Sequence, residues 1–358
     1  MADLLEYDAT PRVVFGPGAI GAVPEEVRRL GAGSVLLVAD PYVPDVADRL
    51  AAALGGAVAD RVDEVVMHVP VAAAEAASER ATRHRVDLVL SVGGGSATGL
   101  AKAIALRTHL PILAVPTTYA GSEMTPVWGL TEQVDGVGRK RTGRDPVVRP
   151  RVVVYDPELT VSLPPDLSAT SGMNALAHLV GGVFGPAATP IAGALAEEGI
   201  RTMFSALPRV VAEPADLDAR ADALRGAWLA GWVLGTTRMG LHHRICHVLG
   251  GAYNLPHSPM HAALLPYTAA AAATTGAAPE RAARAFGGAD PATALFDLAR
   301  VIGAPISLRA VGFDPRHIDE VAETVAAAPD TYARSLDARA VRDLLRAACD
   351  GGRPGSRR

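Results

Sequence analysis

The chain has 358 residues, of which 49% are hydrophobic and 20% are charged, and its formal net charge is −4 at pH 7. A chain of this length exceeds what one small core organises, so two domains are expected. The slightly acidic balance excludes a basic surface for nucleic acid. No apolar run is long enough to cross a bilayer, and the first residues lack a hydrophobic signal core, so no membrane partner is expected.

The first 155 residues alternate short β-branched runs with alanine- and arginine-rich helical patterns. Strands are predicted over 34–40, 64–70 and 86–92, and a further strand is predicted in "PILAVPTT". Strands that alternate with helices favour a parallel sheet covered by helices on its faces. An all-helical bundle is excluded, because the Val, Ile and Leu runs are bounded by Gly and Pro.

The pattern changes after the proline-containing segment 151–165. Later segments such as "LSATSGMNALAHLVGGVF" have helical spacing, and serine and threonine near several predicted helix starts can act as N-caps. We therefore expect an α/β, Rossmann-like dinucleotide-binding domain over 1–158 and an all-α catalytic domain over 159–358. The cleft between two such domains is the expected active site.

A glycine-rich loop, "SVGGGSATGLAK", follows a predicted strand and opens a predicted helix. Glycines have no Cβ, so phosphate oxygens can approach the backbone closely, and the helix N-terminus favours an anion. The spacing matches neither GxGxxG nor a Walker loop, so a structural tight turn stays open as the alternative. The residues predicted to bind a cofactor here are Gly94, Gly95 and Ser96.

Asp40 and the segment "PTTYAGSEMT" extend the cofactor prediction. Asp40 ends a predicted strand, where a carboxylate would accept hydrogen bonds from an adenosine ribose and repel a 2′-phosphate. This favours NADH, with NADPH as the alternative cofactor, while a plain turn or helix-cap role for Asp40 stays open. The hydroxyls of the second segment that could reach the cofactor belong to Thr117, Thr118 and Ser122.

The stretch "GLHHRICHVLGGAYNLPHSPMH" contains five of the ten histidines. Metal binding is one interpretation, and proton donation to a substrate is the other. His243 and His247 are four residues apart, so both can face one side of a helix, whereas His242 would point away from them. His257 is expected in a loop, pointing inward. The histidines predicted to pack rather than to react are His68, His84, His109, His261 and His317.

Six segments together resemble the maleylacetate reductases, a family within the iron-containing alcohol dehydrogenase superfamily. They are "MHVPV", "SVGGGSATGLAKAIAL", "PTTYAGSEMTP", "KRTGRDPVVRPRVVVYDPELT", "SATSGMNALAH" and "GLHHRICHVLGGAYNLPH". The resemblance runs from Tyr7 to Arg346 and implies a dehydroquinate synthase-like architecture. It also implies NAD(P)H-dependent reduction of the carbon–carbon double bond of maleylacetate to 3-oxoadipate, in the degradation of aromatic compounds, by a homodimer.

The resemblance implies which residues would hold Fe²⁺ or Zn²⁺ if a metal is present. The matching positions are Asn174, His178, His247 and His257, and the amide of Asn174 replaces a carboxylate of the metal-using relatives. Three imidazoles can still hold zinc. Because the negative charge is missing, however, we expect that no metal is required. In that hypothesis partly protonated imidazoles attract the dianionic substrate and stabilise the developing enolate.

The predicted site combines these arguments with the resemblance. Tyr332 matches a tyrosine that relatives use as a proton donor, although "ARSL" follows it instead of "NPRP". The segment "KRTGRDP" supplies Arg144 for a substrate carboxylate, or is a solvated basic turn. The predicted catalytic residues are His178, His243, His247, His257 and Tyr332, and the predicted substrate-binding residues are Asn174, His242 and Arg144.

Two other functions stay open at this point. One is a metal-dependent alcohol or polyol dehydrogenase with an atypical ligand set. The other is an NAD(H)-binding protein that has lost turnover, suggested by the changes around Tyr332 and Gly181. The two cysteines, Cys246 and Cys349, form no CxxC pair, which favours the reducing cytoplasm.

Overall fold

The computed structural model describes residues 10–134, 137–185, 189–238, 240–275, 278–327 and 336–355. The chain folds into two compact units. Among the described residues, the α/β unit runs to Leu163 and also includes Ala215–Leu224, while the helical unit consists of Pro164–Pro214 and the residues from Arg225 onward. The division at Leu163 falls shortly after the predicted boundary at 158. The segment Ala215–Leu224 belongs to the α/β unit although it follows that boundary.

The strands of the α/β unit form two sheets. They are β1 Arg12–Phe15, β2 Val35–Ala39, β3 Val58–Val62, β4 Leu88–Gly93, β5 Ile112–Pro116, β6 Val127–Val134, β7 Val137–Arg144 and β8 Val152–Tyr155. Six of them form a parallel sheet in the order β1-β8-β5-β4-β2-β3, while β6 and β7 form an antiparallel hairpin. Strands β2, β4 and β5 are buried along their whole lengths, which explains their unbroken apolar runs. The predicted parallel α/β architecture is confirmed.

The order of the parallel sheet reverses between β2 and β4. From β2 the chain continues to β3 on one side, and from β4 it continues to β5 on the other. In open α/β sheets, ligands bind outside the carboxyl ends of the strands at such a reversal. The residues that follow these two strands, Asp40 and Gly94, therefore lie where a dinucleotide is expected.

The strand predicted over 64–70 is wrong, because this segment is a loop that follows β3. His68 and Val69 have φ angles of 65° and 46°, and such left-handed values do not occur inside a strand. The apolar residues of "EVVMHVP" gave no indication of this turn. The hairpin of β6 and β7 was not predicted from the sequence either.

Four helices accompany the strands of the α/β unit, in the part of it that the structure describes. They are α1 Val23–Arg29, α2 Pro44–Leu54, α3 Val71–Arg83 and α4 Gly95–Thr108. Helix α4 begins directly after the glycine loop, and its middle is buried from Ala97 to Ala105 except at Gly99. The glycine loop is therefore held between a buried strand and a buried helix.

The described part of the helical unit contains helices and no strand, as predicted. The remaining helices are α5 Pro165–Phe184, α6 Pro190–Ala212, α7 Leu217–Thr236, α8 Leu241–Ala252, α9 His257–Thr275, α10 Pro279–Ala285, α11 Pro291–Val301, α12 Ile318–Ala327 and α13 Ala338–Asp350. Helix α7 starts in the segment that belongs to the α/β unit. Among the described residues, no helix combines the length and the hydropathy needed to cross a membrane.

Helix α5 is the central element of the helical unit, and it packs against α6 and α9. A Cβ on Gly172 would lie 2.3 Å from Cδ2 of Leu207 on α6, so this position requires glycine for the two helices to approach. The helix continues without a break through Gly181 and Gly182 to Phe184. It thereby fixes the positions of Asn174 and His178, which are buried on it.

Candidate active site

The glycine loop at the end of β4 fits closely against Asp40. Gly93 has a φ of 141°, and a Cβ on it would lie 2.4 Å from the Cβ of Asp40. A Cβ on Gly94 would lie 3.0 Å from Cγ2 of Thr118. Any larger residue would therefore displace the carboxylate or the second loop. The structure brings Gly94, Asp40 and Thr118 together, as the sequence analysis expected of a cofactor site.

Asp40 is half-buried and is held in a turn. Its backbone N–H donates to Val92 O at 2.8 Å, and its Oδ1 accepts from the backbone N–H of Tyr42 at 3.1 Å. The turn role that the sequence left open is thus observed. The other carboxylate oxygen, Oδ2, lies 3.5 Å from the backbone nitrogen of Gly94. The contact of this carboxylate with a ribose stays a prediction.

The second loop follows β5 and is called here the cofactor loop, residues 117–125. It is joined to the glycine loop by the backbone N–H of Thr117, which donates to Gly93 O at 3.0 Å. Thr117 is buried and Thr118 is half-buried, while Ser122 begins a short 3₁₀ helix, Ser122–Met124. Thr118 therefore lies beside the predicted phosphate site, and Ser122 lies at the far end of the loop.

Lys102 is a buried lysine that the sequence analysis missed as a functional residue. Its Nζ donates to Ser122 O at 2.6 Å, Val127 O at 2.8 Å and Thr125 Oγ1 at 2.9 Å. Burial lowers the pKa of Lys102 to about 7, and the carboxylate of Glu123 opposes that shift. The signal available in the sequence was a lysine inside the apolar helical run "LAKAIAL", where the periodic pattern expects a core residue.

The structure gives little information on two predicted site residues, Arg144 and Tyr332. Arg144 is exposed at the end of β7, opposite Val127 in the hairpin. Its predicted contact with a substrate carboxylate stays a prediction. Tyr332 lies outside the described residues, and so does its predicted role as a proton donor.

A pair of histidines from two helices forms the first part of the histidine cluster. The Nδ1 of His178 on α5 lies 2.9 Å from the Nε2 of His243 on α8. Their rings are stacked, with centroids 4.9 Å apart and an interplanar angle of 14°. Asn174 precedes His178 by one helical turn and is buried, and its Oδ1 has no hydrogen-bond partner among the described residues. This amide oxygen is available to accept from a ligand.

A second histidine pair lies next to the first. The Nε2 of His242 lies 2.9 Å from the Nδ1 of His261 on α9, and its Nδ1 lies 2.8 Å from the Oγ1 of Thr268. The rings of His242 and His243 are 5.4 Å apart, and those of His257 and His261 are 4.4 Å apart. The structure therefore assembles a continuous group of imidazoles from α5, α8 and α9.

Two expectations about these histidines were wrong. His242 does not point away from the cluster, because α5 presents His178 to His243 while α9 presents His261 to His242. His261 is completely buried, and its Nε2 has no hydrogen-bond partner among the described residues, so its expected packing role stays a prediction. His257 is the first residue of α9 rather than part of a loop.

Three of the buried histidines have lowered pKa values. Burial, followed by repulsion from neighbouring imidazoles, lowers the pKa of His242 to about 3 and lowers the pKa of His243 and His261 well below the usual value. The expectation that these imidazoles become partly protonated is therefore wrong for these three. At neutral pH they act as neutral N–H donors and ring-nitrogen acceptors.

His242, Cys246 and His261 also form a group that could hold a metal ion. Their ligand atoms lie within 4.8 Å of one another, and all three residues are buried. The separations of 2.9 Å between His242 Nε2 and His261 Nδ1 and 3.7 Å between Cys246 Sγ and His242 Nε2 bracket the edge of a zinc tetrahedron, roughly 3.4 Å. Imidazole and thiolate donors suit Fe²⁺ and Zn²⁺, so the residues fit such an ion. The predicted ligands His178, His247, His257 and Asn174 do not belong to this group.

Comparison with known proteins defines the class. The family model "Iron-containing alcohol dehydrogenase" matches residues 10–157, and the model "Fe-containing alcohol dehydrogenase family, C-terminal" matches residues 168–349. The chain belongs to the iron-containing alcohol dehydrogenase family. The first matched region contains the glycine loop, and the second contains the histidine cluster.

Within this family the chain is similar to maleylacetate reductases. The maleylacetate reductase of Burkholderia cepacia is 46% identical over 345 residues, which cover 96% of this chain and 97% of that protein. The crystal structure of maleylacetate reductase from Agrobacterium tumefaciens has a TM-score of 0.91 at 45% identity and covers 98% of this chain and 100% of that one. Sulfoacetaldehyde reductase from Bifidobacterium kashiwanohense, in complex with NAD⁺, has a TM-score of 0.86 at 25% identity, with coverage of 96% and 98%. The resemblance inferred from the sequence is confirmed.

The family match corrects the expectation that no metal is required, which is wrong. The family is defined as iron-containing, over both halves of the chain. The missing carboxylate at Asn174 suggested a lost metal site. His242, Cys246 and His261 place donor atoms together through the packing of α8 against α9, which the sequence does not reveal.

Proposed function

We propose that this chain is a maleylacetate reductase that prefers NADH and converts maleylacetate to 3-oxoadipate. The observation that carries the proposal is the buried histidine cluster in a chain that is similar over nearly its whole length to maleylacetate reductases. This similarity supports the reductase over an alcohol or polyol dehydrogenase and over a homologue without turnover.

The chemistry requires a hydride, a hydrogen-bond donor and a proton. The nicotinamide hydride adds to the alkene carbon β to the ketone, the electron pair of the double bond moves toward the ketone oxygen, and an enolate forms. Imidazole N–H groups can donate to that oxygen as its charge develops. A proton then adds to the α carbon, and positioned imidazoles are suited to deliver it. We assign these roles to His178, His243, His247 and His257.

Other residues bind the substrate or the metal in this proposal. The Oδ1 of Asn174 would accept from a bound water, and Arg144 would pair with a substrate carboxylate. The predicted substrate contact of His242 competes with its bonds to Thr268 and His261. When bound, a divalent ion held by His242, Cys246 and His261 would supply a Lewis acid that polarises the ketone.

The cofactor proposal rests on the α/β unit. The N-terminus of α4 would receive the pyrophosphate at Gly94, Gly95 and Ser96, and Asp40 would accept from the adenosine ribose. The solved sulfoacetaldehyde reductase that resembles this chain holds NAD⁺, which supports the nicotinamide cofactor. Asp40 supports NADH over NADPH because a 2′-phosphate would lie against its negative charge.

We also propose that the chain acts as a homodimer in the cytoplasm on a small dicarboxylate. The resemblance to maleylacetate reductases supports the dimer. Cys246 and Cys349 are thiols rather than partners in a disulfide, which supports a reducing compartment.

The decisive experiment is a steady-state assay of NADH oxidation with enzymatically generated maleylacetate, followed by product analysis. We expect 3-oxoadipate, and with 4-deuterated NADH we expect the deuterium on the carbon β to the ketone. A hydroxy product that retains the alkene would contradict the proposal and would favour an alcohol dehydrogenase. NADH binding without consumption would favour a homologue without turnover.

A further inference from the structure

Lys102 is bound by oxygen atoms of one short segment. Its Nζ lies 2.6 Å from Ser122 O, 2.9 Å from Thr125 Oγ1 and 2.8 Å from Val127 O, with Ser122 Oγ at 3.3 Å. The side chain is 1% exposed. Since Lys102 belongs to α4, these bonds tie the end of the cofactor loop to the helix that begins with the glycine loop.

Arg220 holds the middle of the same loop from another helix. Its Nη1 donates to the hydroxyl of Tyr119 at 3.1 Å, and its Nη2 donates to Leu163 O at 3.2 Å. Arg220 is completely buried, and so is Tyr119. Arg220 belongs to the segment Ala215–Leu224, which is part of the α/β unit although it lies in the region predicted as helical. This segment therefore places a guanidinium group beside the loop.

Burying two cations is unfavourable unless their hydrogen bonds are satisfied. Transfer of an ammonium or guanidinium group from water into a protein costs several kcal/mol even after relaxation. Apolar side chains of similar size would fill both positions without that cost. What the two cations provide is directional bonds, which reach one segment at Tyr119 and at Ser122–Val127, while Arg220 also donates to Val161 O and Leu163 O. The start of this segment is already bonded to Gly93 through Thr117.

We propose that Lys102 and Arg220 are positioning residues that hold the cofactor loop, residues 117–125, in the shape that receives the phosphates and ribose of a nicotinamide dinucleotide. The inference rests on the proposed cofactor site but not on the identity of the substrate. The loop is fixed at three points before the cofactor arrives. The entropy of ordering the loop is therefore lost during folding rather than on binding, and this strengthens the affinity for the dinucleotide.

The first test removes one hydroxyl that Lys102 contacts. In Thr125→Val the methyl groups fill the space, while the bonds of Oγ1 with Lys102 Nζ, Ser122 O and the Val127 N–H are lost. We expect the Kd of NADH to rise about fivefold or more. The kcat at saturating NADH should stay within about twofold of the wild type, since no reacting atom is touched. The matched control is Thr160→Val, because Thr160 is equally buried and its Oγ1 donates to Pro157 O at 2.9 Å.

The second test removes the hydroxyl that Arg220 contacts. Tyr119→Phe should also raise the Kd of NADH, whereas Tyr267→Phe should not, although the Tyr267 hydroxyl donates to Ile306 O and Gly352 O at 3.1 Å. Measuring the melting temperature of all four variants separates lost stability from lost cofactor affinity. If Thr125→Val and Tyr119→Phe bind NADH as tightly as their controls, the inference is overturned.

The two proposals fail in different ways. If the wild type binds NADH but does not reduce maleylacetate, the proposed function fails, and the binding measurements still decide the inference. If the wild type reduces maleylacetate while the loop variants keep their NADH affinity, the inference fails alone. Direct fluorescence titration of NADH in the absence of substrate supplies the readout for both cases.

Discussion

His178 and His243 stand 65 residues apart in the sequence, yet the Nδ1 of one lies 2.9 Å from the Nε2 of the other. This bond between α5 and α8 positions both rings in the buried cluster. Replacing His243 by Gln should lower kcat about a hundredfold, because positioned acid–base groups contribute on that order. The measurement is NADH oxidation with maleylacetate. The control is His109→Asn, at an exposed helix end where the left-handed conformation suits asparagine. Equal activity of both variants would rule out a catalytic role for His243.

Asp40 should determine the choice between the two nicotinamide cofactors. Asp40→Ser removes the charge that would repel a 2′-phosphate and keeps a hydroxyl that can still accept from the Tyr42 N–H. We expect kcat/KM for NADPH to rise and that for NADH to fall, so that their ratio changes about tenfold or more. Asp45→Ser, an exposed acid in the first turn of α2, is the control. An unchanged ratio would leave Asp40 with its turn role alone.

Two glycines on α5 should respond oppositely to alanine. Gly172→Ala places a Cβ 2.3 Å from Leu207 Cδ2 and should destabilise the protein by about 1–3 kcal/mol through overpacking. Gly181→Ala meets no atom within 4 Å and should stabilise it by roughly 0.5–1 kcal/mol, since alanine favours the helix. Chemical denaturation measures both free energies of unfolding. A stabilising Gly172→Ala would show that α5 and α6 separate without cost.

Cys246 should contribute to metal retention, and Cys349 should not. Both thiols are buried, but only Cys246 lies with His242 and His261. Protein prepared without chelator should contain iron or zinc, and Cys246→Ser should lower its occupancy while Cys349→Ser leaves it unchanged. Elemental analysis gives the metal content per chain. Equal occupancy in the two variants would place the ion elsewhere.

Cofactor affinity should fall as the pH rises through about 7, the pKa to which burial lowers Lys102. Above that pH the neutral amine has one N–H fewer for its oxygen partners, so the cofactor loop is held less firmly. The charged groups that act on Lys102 are Glu123, which favours its cation, and Arg144 and Arg149, which oppose it.

The matched variant for this pH effect is Lys102→Met. Its NADH affinity should be weaker than that of the wild type and should change little between about pH 6 and 8.5, because methionine has no proton to lose. Titrating NADH fluorescence across this range provides the test. A parallel decrease in both proteins would assign the titration to another group.

Local patterns carried much of the prediction. The alternation of strands and helices follows from side-chain periodicity, and the glycine loop follows from the absence of Cβ atoms, so both could be predicted from short stretches. The strand over 64–70 failed because the left-handed φ angles of His68 and Val69 are imposed by surroundings that no short window contains.

The sequence by itself determined the architecture and the family, because these depend on neighbouring residues and on motifs. Only the tertiary structure decided that His242 and His261 join the histidine cluster and that burial lowers their pKa values. It alone decided that Lys102 and Arg220 form hydrogen bonds with the cofactor loop. Each of these depends on burial and on contacts between residues far apart in the chain. Such contacts form when the helices pack together. The periodicity within one helix does not encode which side chain of another helix will face that helix.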